Sequence, residues 1–75
     1  MDVKEFKQIR EKLEMTQKEM AHLLGFTGEA QTVKNIEGGR RKPGKLAIKL
    51  LRYLVSIPKS KAAMLIEELN LHEPE

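Results

Sequence analysis

The chain has 75 residues, a net charge of +3, 33% charged residues and no cysteine. That length and composition hold one domain without disulfides or thiolate metal sites, so the core must come from side-chain packing. No apolar run approaches the roughly 18 residues a membrane span needs, and the charged start MDVKEFKQIREKLE argues against a signal peptide; the expectation is a soluble, cytoplasmic protein with no membrane partner.

Asp2 and Glu5 have capping-box spacing, with Phe6, Ile9 and Leu13 recurring at intervals of three and four. This predicts an amphipathic first helix over about Val3 to Leu13. Thr16 and Glu19 repeat the box. Met20, Leu23 and Leu24 supply an apolar side, and Gly25 suits a left-handed helix end, which predicts a second helix over about Gln17 to Leu24. Thr27-Gly28 interrupts the chain, and a third helix follows from about Glu29 or Ala30 to Glu37, closed by Gly38-Gly39. After the basic loop RRKPG, the run LAIKLLRYLV predicts a fourth helix over about Lys45 to Val55, with Ala47, Leu50, Leu51 and Leu54 as core and Tyr53 at the core edge. Ile57-Pro58 breaks it. A fifth helix over about Lys59 to Leu69 presents Ala62, Leu65, Ile66 and Leu69 on one side, and HEPE at the end reads as frayed. With no strand signal, the fold class is all-α.

Charge is unevenly distributed along these elements. Residues 34–52 hold Lys34, Arg40, Arg41, Lys42, Lys45, Lys49 and Arg52 against Glu37, while the segments on either side are mildly acidic. The basic segment directly follows a helix carrying Gln31, Thr32, Lys34 and Asn35. Two helices joined by a glycine-containing turn suit a helix-turn-helix, whose second helix enters the major groove. Gln and Asn can pair bidentately with adenine, Thr offers a hydroxyl and a methyl, and Lys reaches a base or a phosphate. Arg40, Arg41 and Lys42 then suit a clamp on phosphates, which fixes register without carrying sequence information.

The run LEMTQKEMAHLLGFT…TVKNIEGGRRKPGKLAIKLLRYL resembles the Cro/C1-repressor type of helix-turn-helix protein over roughly residues 6–55. The resemblance implies a five-helix, lambda-repressor-like helix-turn-helix domain with its core over about residues 3–55. The C-terminal helix, about residues 58–70, would be available for dimerisation. It implies a phosphate contact by Gln17 at the start of the second helix, with Thr16 beside it a further phosphate candidate, and base contacts by Gln31, Thr32 and Asn35. It also implies a structural ion pair between Arg10 and Glu37. In one place the chain departs from the family pattern: GFTGEAQTV is about two residues longer than the usual tight turn.

Neither histidine, His22 or His72, has a metal-ligand partner at suitable spacing, and no nucleophile has an obvious base, so no metal, no cofactor and no enzymatic activity are expected. Ile57, Met64, Leu65 and Leu71 are candidates for a homodimer contact, with Met15, Met20 and Met64 as core or boundary filler. The expected function is a sequence-specific double-stranded-DNA-binding regulator, a dimeric repressor of a small operon acting on a palindromic operator. The alternative is an antitoxin-type module that neutralises a partner protein, such as a toxin, with DNA binding secondary.

Overall fold

The computed structural model describes residues 1–72, so the last three residues of the HEPE tail lie outside it. Five helices follow one another in the order α1 (Val3–Lys12), α2 (Gln17–Leu24), α3 (Ala30–Glu37), α4 (Lys45–Ser56) and α5 (Lys59–Asn70), and the described residues contain no strand. The all-α expectation holds, with ends within a residue or so of those read from spacing.

The chain is punctuated chiefly by its caps. Asp2 accepts the Glu5 backbone N–H at 2.7 Å, and at α2 the Thr16 hydroxyl and Glu19 carboxylate satisfy each other's backbone N–H groups at 3.1 and 2.9 Å. Only α2 closes the reciprocal box; at α1 the Glu5 carboxylate turns to Arg52 instead, so Asp2 satisfies one of the orphan donors that every helix start exposes. Three helices end in the same way, on a left-handed residue whose successor donates back to the helix: Met15 N to Arg10 O, Phe26 N to Ala21 O and Arg40 N to Asn35 O, at 3.1, 2.9 and 2.9 Å. The left-handed residues are Glu14 (φ 57°), Gly25 (φ 72°) and Gly39 (φ 80°). Two are glycines, as this motif favours, and Glu14 takes the same geometry despite its side chain.

The central core joins Phe6 and Ile9 of α1, Met20 and Ala21 of α2, Val33 and Ile36 of α3, and Leu51 of α4. Met1, Leu13, Met15, Leu24, Phe26 and Val55 pack around it. Helix α4 adds Leu54, with Ala47 and Leu50 half-buried. Helix α5 is the least embedded: of its twelve residues only Ala62 is buried, Leu65 and Ile66 are half-buried, and Leu69 is 44% exposed. Tyr53 also departs from expectation. It stands on the solvent side of α4, 55% exposed, because the core-facing positions are taken by Leu51 and Leu54 to either side of it.

Two ion pairs tie helices together where the apolar contacts thin out. Arg52 on α4 donates to both carboxylate oxygens of Glu5 on α1, at 3.0 and 3.2 Å, and Lys59 at the start of α5 sits 2.7 Å from Glu14. Both are solvent-exposed, so they orient more than they stabilise.

Candidate nucleic-acid interface

Helix α3 lies against α2 and α1, with Val33 and Ile36 fully buried between them. At 100° per residue those anchors leave Lys34, Gln31 and Asn35 on the opposite side. Gln31 and Lys34 are exposed and Asn35 is half-buried. The two amides are joined: Gln31 Nε2 donates to Asn35 Oδ1 at 3.1 Å. That contact restricts both side chains while leaving Gln31 Oε1 and the Asn35 amide donors to face outward.

Thr32 is a correction. Expected on the same outward surface, it is buried, with 7% of its area exposed. Thr32 lies four residues before Ile36 and so shares the inner face of α3, where its hydroxyl sits over the α2–α3 turn. A Cβ placed on Gly28 would fall 2.5 Å from Thr32 Oγ1. Gly28 is therefore part of the seat for Thr32, and Thr32 fixes the turn instead of reaching outward. The i to i+4 relation with Ile36 was the signal in the sequence that should have placed it inside.

Arg10 and Glu37 form the tightest polar link between helices. Arg10 Nε is 2.7 Å from Glu37 Oε2, a second guanidinium nitrogen reaches Glu37 Oε1 at 3.1 Å, and the third donates to the Met15 carbonyl at 3.0 Å. The two side chains are only 14% and 8% exposed. The Glu37 carboxylate raises the Arg10 pKa above the ordinary arginine range, with burial opposing it. Gln17 joins the same carboxylate, its Nε2 lying 3.4 Å from Glu37 Oε1, so the first residue of α2 is anchored to the last residue of α3. Glu37, the one acid on α3, is turned into the scaffold and away from the outward face.

Arg40, Arg41 and Lys42 are all exposed in the loop that leaves α3. Asn35 sets the start of that loop through its backbone, since its carbonyl accepts from Arg40 N at 2.9 Å and Arg41 N at 3.3 Å. The Arg41 guanidinium stands 5.5 Å from the centroid of the Phe26 ring, a cation–π contact that links the basic loop to the turn before α3. Nothing in the sequence pointed to that pairing. The candidate surface is thus a hydrogen-bonded amide pair with one lysine, flanked on its C-terminal side by three cations.

The other candidate residues lie elsewhere. Ile57 and Leu65 are half-buried, and Met64 and Leu71 stand 59% and 78% exposed on α5 and its cap. A shallow groove of about 470 Å³ separates α2 from α5, lined by Met15, Lys18, His22, Ala63, Ile66 and their neighbours. No cluster of metal-ligating side chains occurs among the described residues, and no described helix is long and apolar enough to cross a membrane. Compared with protein-family models, with curated proteins and with solved structures, the chain matches none of them.

Proposed function

We propose that the chain is a sequence-specific regulator that binds double-stranded DNA, with α2 and α3 acting as a helix-turn-helix of the Cro/C1-repressor type and a dimer repressing a small operon in the cytoplasm. One observation carries the reading. The outward side of α3 is a pre-organised polar reader, Gln31 hydrogen-bonded to Asn35 at 3.1 Å beside exposed Lys34, and exposed Arg40, Arg41 and Lys42 follow it directly. A major groove needs side chains that both donate and accept, and cations along its phosphate edges. In this reading Gln31, Lys34 and Asn35 contact bases. Thr16 and Gln17 at the start of α2, with the three cations of the loop, contact phosphates, and Thr32 supports the turn. Two copies would cover half-sites about one helical turn, roughly 34 Å, apart.

The deciding experiment is a selection of bound sites from random duplexes, followed by titration of Gln31→Ala and Asn35→Ala. Each is expected to lose about 1 to 3 kcal/mol on the selected site and to bind random DNA as before. Equal losses on both would rule out direct readout. A second reading, an antitoxin-type module for a partner protein, rests on the groove between α2 and α5, which the DNA reading leaves unused. It predicts that no sequence preference emerges from the selection.

A further inference from the structure

Three cations leave α3 in a row, and the fold holds only one of them by its side chain. Arg40, Arg41 and Lys42 are all exposed, yet among the described residues only the Arg41 side chain makes a polar or ring contact. Its guanidinium stands 5.5 Å from the centroid of the Phe26 ring, and its backbone N–H reaches the Asn35 carbonyl at 3.3 Å. The ring is itself held. Phe26 is half-buried against the central core, and its backbone N–H donates to the Ala21 carbonyl at 2.9 Å. Arg41 is thus fixed at both ends, to α3 through its main chain and to the end of α2 through the ring. Arg40 and Lys42 have no such anchor at their tips.

That contact leaves the useful part of the guanidinium open. A cation over an aromatic face is drawn by the ring's quadrupole, which engages no N–H donor. The five donors of the fork stay in the guanidinium plane, and none of them hydrogen-bonds within the described residues. A planar fork held in place matches two phosphate oxygens at once, whereas a lysine ammonium is a point charge. We propose that Phe26 is a positioning residue for DNA binding: it presents Arg41 as a bidentate phosphate contact that sets the register of α3 on the duplex, while Arg40 and Lys42 add only charge. The proposal deepens the DNA-binding reading above and rests on it. Asn35 ties the two kinds of contact together, since its amide faces the bases in that reading and its carbonyl holds the main chain of Arg41. Phe26 stands at the start of the turn in which the chain departs from the family pattern, so the platform belongs to this chain's own loop.

The test titrates the full chain against one selected and one random duplex. Phe26→Leu is expected to raise the Kd on both by about tenfold, because a bound dimer carries the contact twice and each copy contributes a factor of about three. Phe26→Tyr keeps the ring and is expected to bind as the unaltered chain does. In an Arg41→Ala background, Phe26→Leu is expected to change the Kd by less than about twofold, since the two residues act through one contact. Arg41→Lys keeps the charge and loses the fork, so it is expected to bind about tenfold more weakly with an unchanged salt slope, whereas Arg40→Lys stays within about twofold. Both arginines are exposed, so these exchanges leave the core intact and decide the matter even where Phe26→Leu unfolds the chain. With no DNA present, nuclear magnetic resonance is expected to show the Arg41 side-chain protons displaced by the ring current of Phe26. Equal effects of Arg40→Lys and Arg41→Lys, a Phe26→Leu loss undiminished in the Arg41→Ala background, or undisplaced Arg41 protons would each overturn the proposal with DNA binding itself intact. A chain that binds no duplex would overturn it together with the reading it rests on.

Discussion

Glu29 shows how a single residue can carry the cost of a turn. It precedes α3 at φ 49° and ψ −138°, a region that glycine enters freely and a side-chain-bearing residue does not, and its carboxylate makes no capping bond in return. Glu29→Gly is therefore expected to stabilise the fold by about 1 kcal/mol, raising the thermal midpoint by several degrees; an unchanged or lowered midpoint would show the backbone there to be unstrained. Arg10 and Glu37 behave oppositely. Removing one member of a pair that is 14% and 8% exposed leaves the other charged and buried, so Arg10→Met is expected to cost about 3 kcal/mol in denaturant unfolding. Replacing both with apolar residues should cost clearly less than the sum of the two single changes. Thr32 belongs at this scale as well: it stands between polar Gln31 and buried Val33, and its four-residue offset from Ile36 places it on the inner face.

At the scale of the element, the reciprocal cap at the start of α2 determines where that helix begins, and so where Gln17 stands relative to Glu37. Thr16→Ala is expected to lower stability by about 1 kcal/mol at neutral pH. The backbone N–H and hydroxyl of Thr16 hold the Glu19 carboxyl below its usual range, and Arg52 does the same for Glu5. A carboxyl with a lowered folded pKa contributes stability above its ordinary pKa, and that contribution is lost as pH falls through the lowered value. Thermal melts taken from neutral pH into acid are thus expected to fall less steeply for Glu19→Gln than for the unaltered chain, and parallel curves would sink the assignment. These caps were legible because Asp2/Glu5 and Thr16/Glu19 carry their signature in the residue types themselves. The ending of α1 was not, since Glu14 adopts a glycine geometry that no local feature announces. Helix α5 was legible as a helix, and its apolar spacing left open whether that side seals the core or stays exposed. The structure decides it by packing: the core takes Ala62 fully and Leu65 and Ile66 in part, and leaves Met64 and Leu69 exposed.

For the whole molecule, charge is unevenly distributed along the chain. Residues 34–52 hold seven cations against Glu37, while large apolar side chains are exposed both there and elsewhere: Val3, Leu46 and Tyr53 as well as Met64, Leu69 and Leu71. Replacing Arg40 and Arg41 together by alanine is expected to weaken binding to every duplex alike. It should also flatten the dependence of log affinity on log salt by about two units. A slope equal to that of the unaltered chain would remove these two residues from the phosphate contacts. The position of the basic loop was evident from composition, whereas the Arg41–Phe26 contact that steadies it depends on the bend of the α2–α3 turn and has no counterpart in local sequence.

That one helix contributes a single fully buried residue, an alanine, has a kinetic meaning. The amide protons of α5 are expected to exchange with deuterated solvent through brief local openings that leave α1, α2 and α3 shut, whose protons escape only when the whole molecule opens.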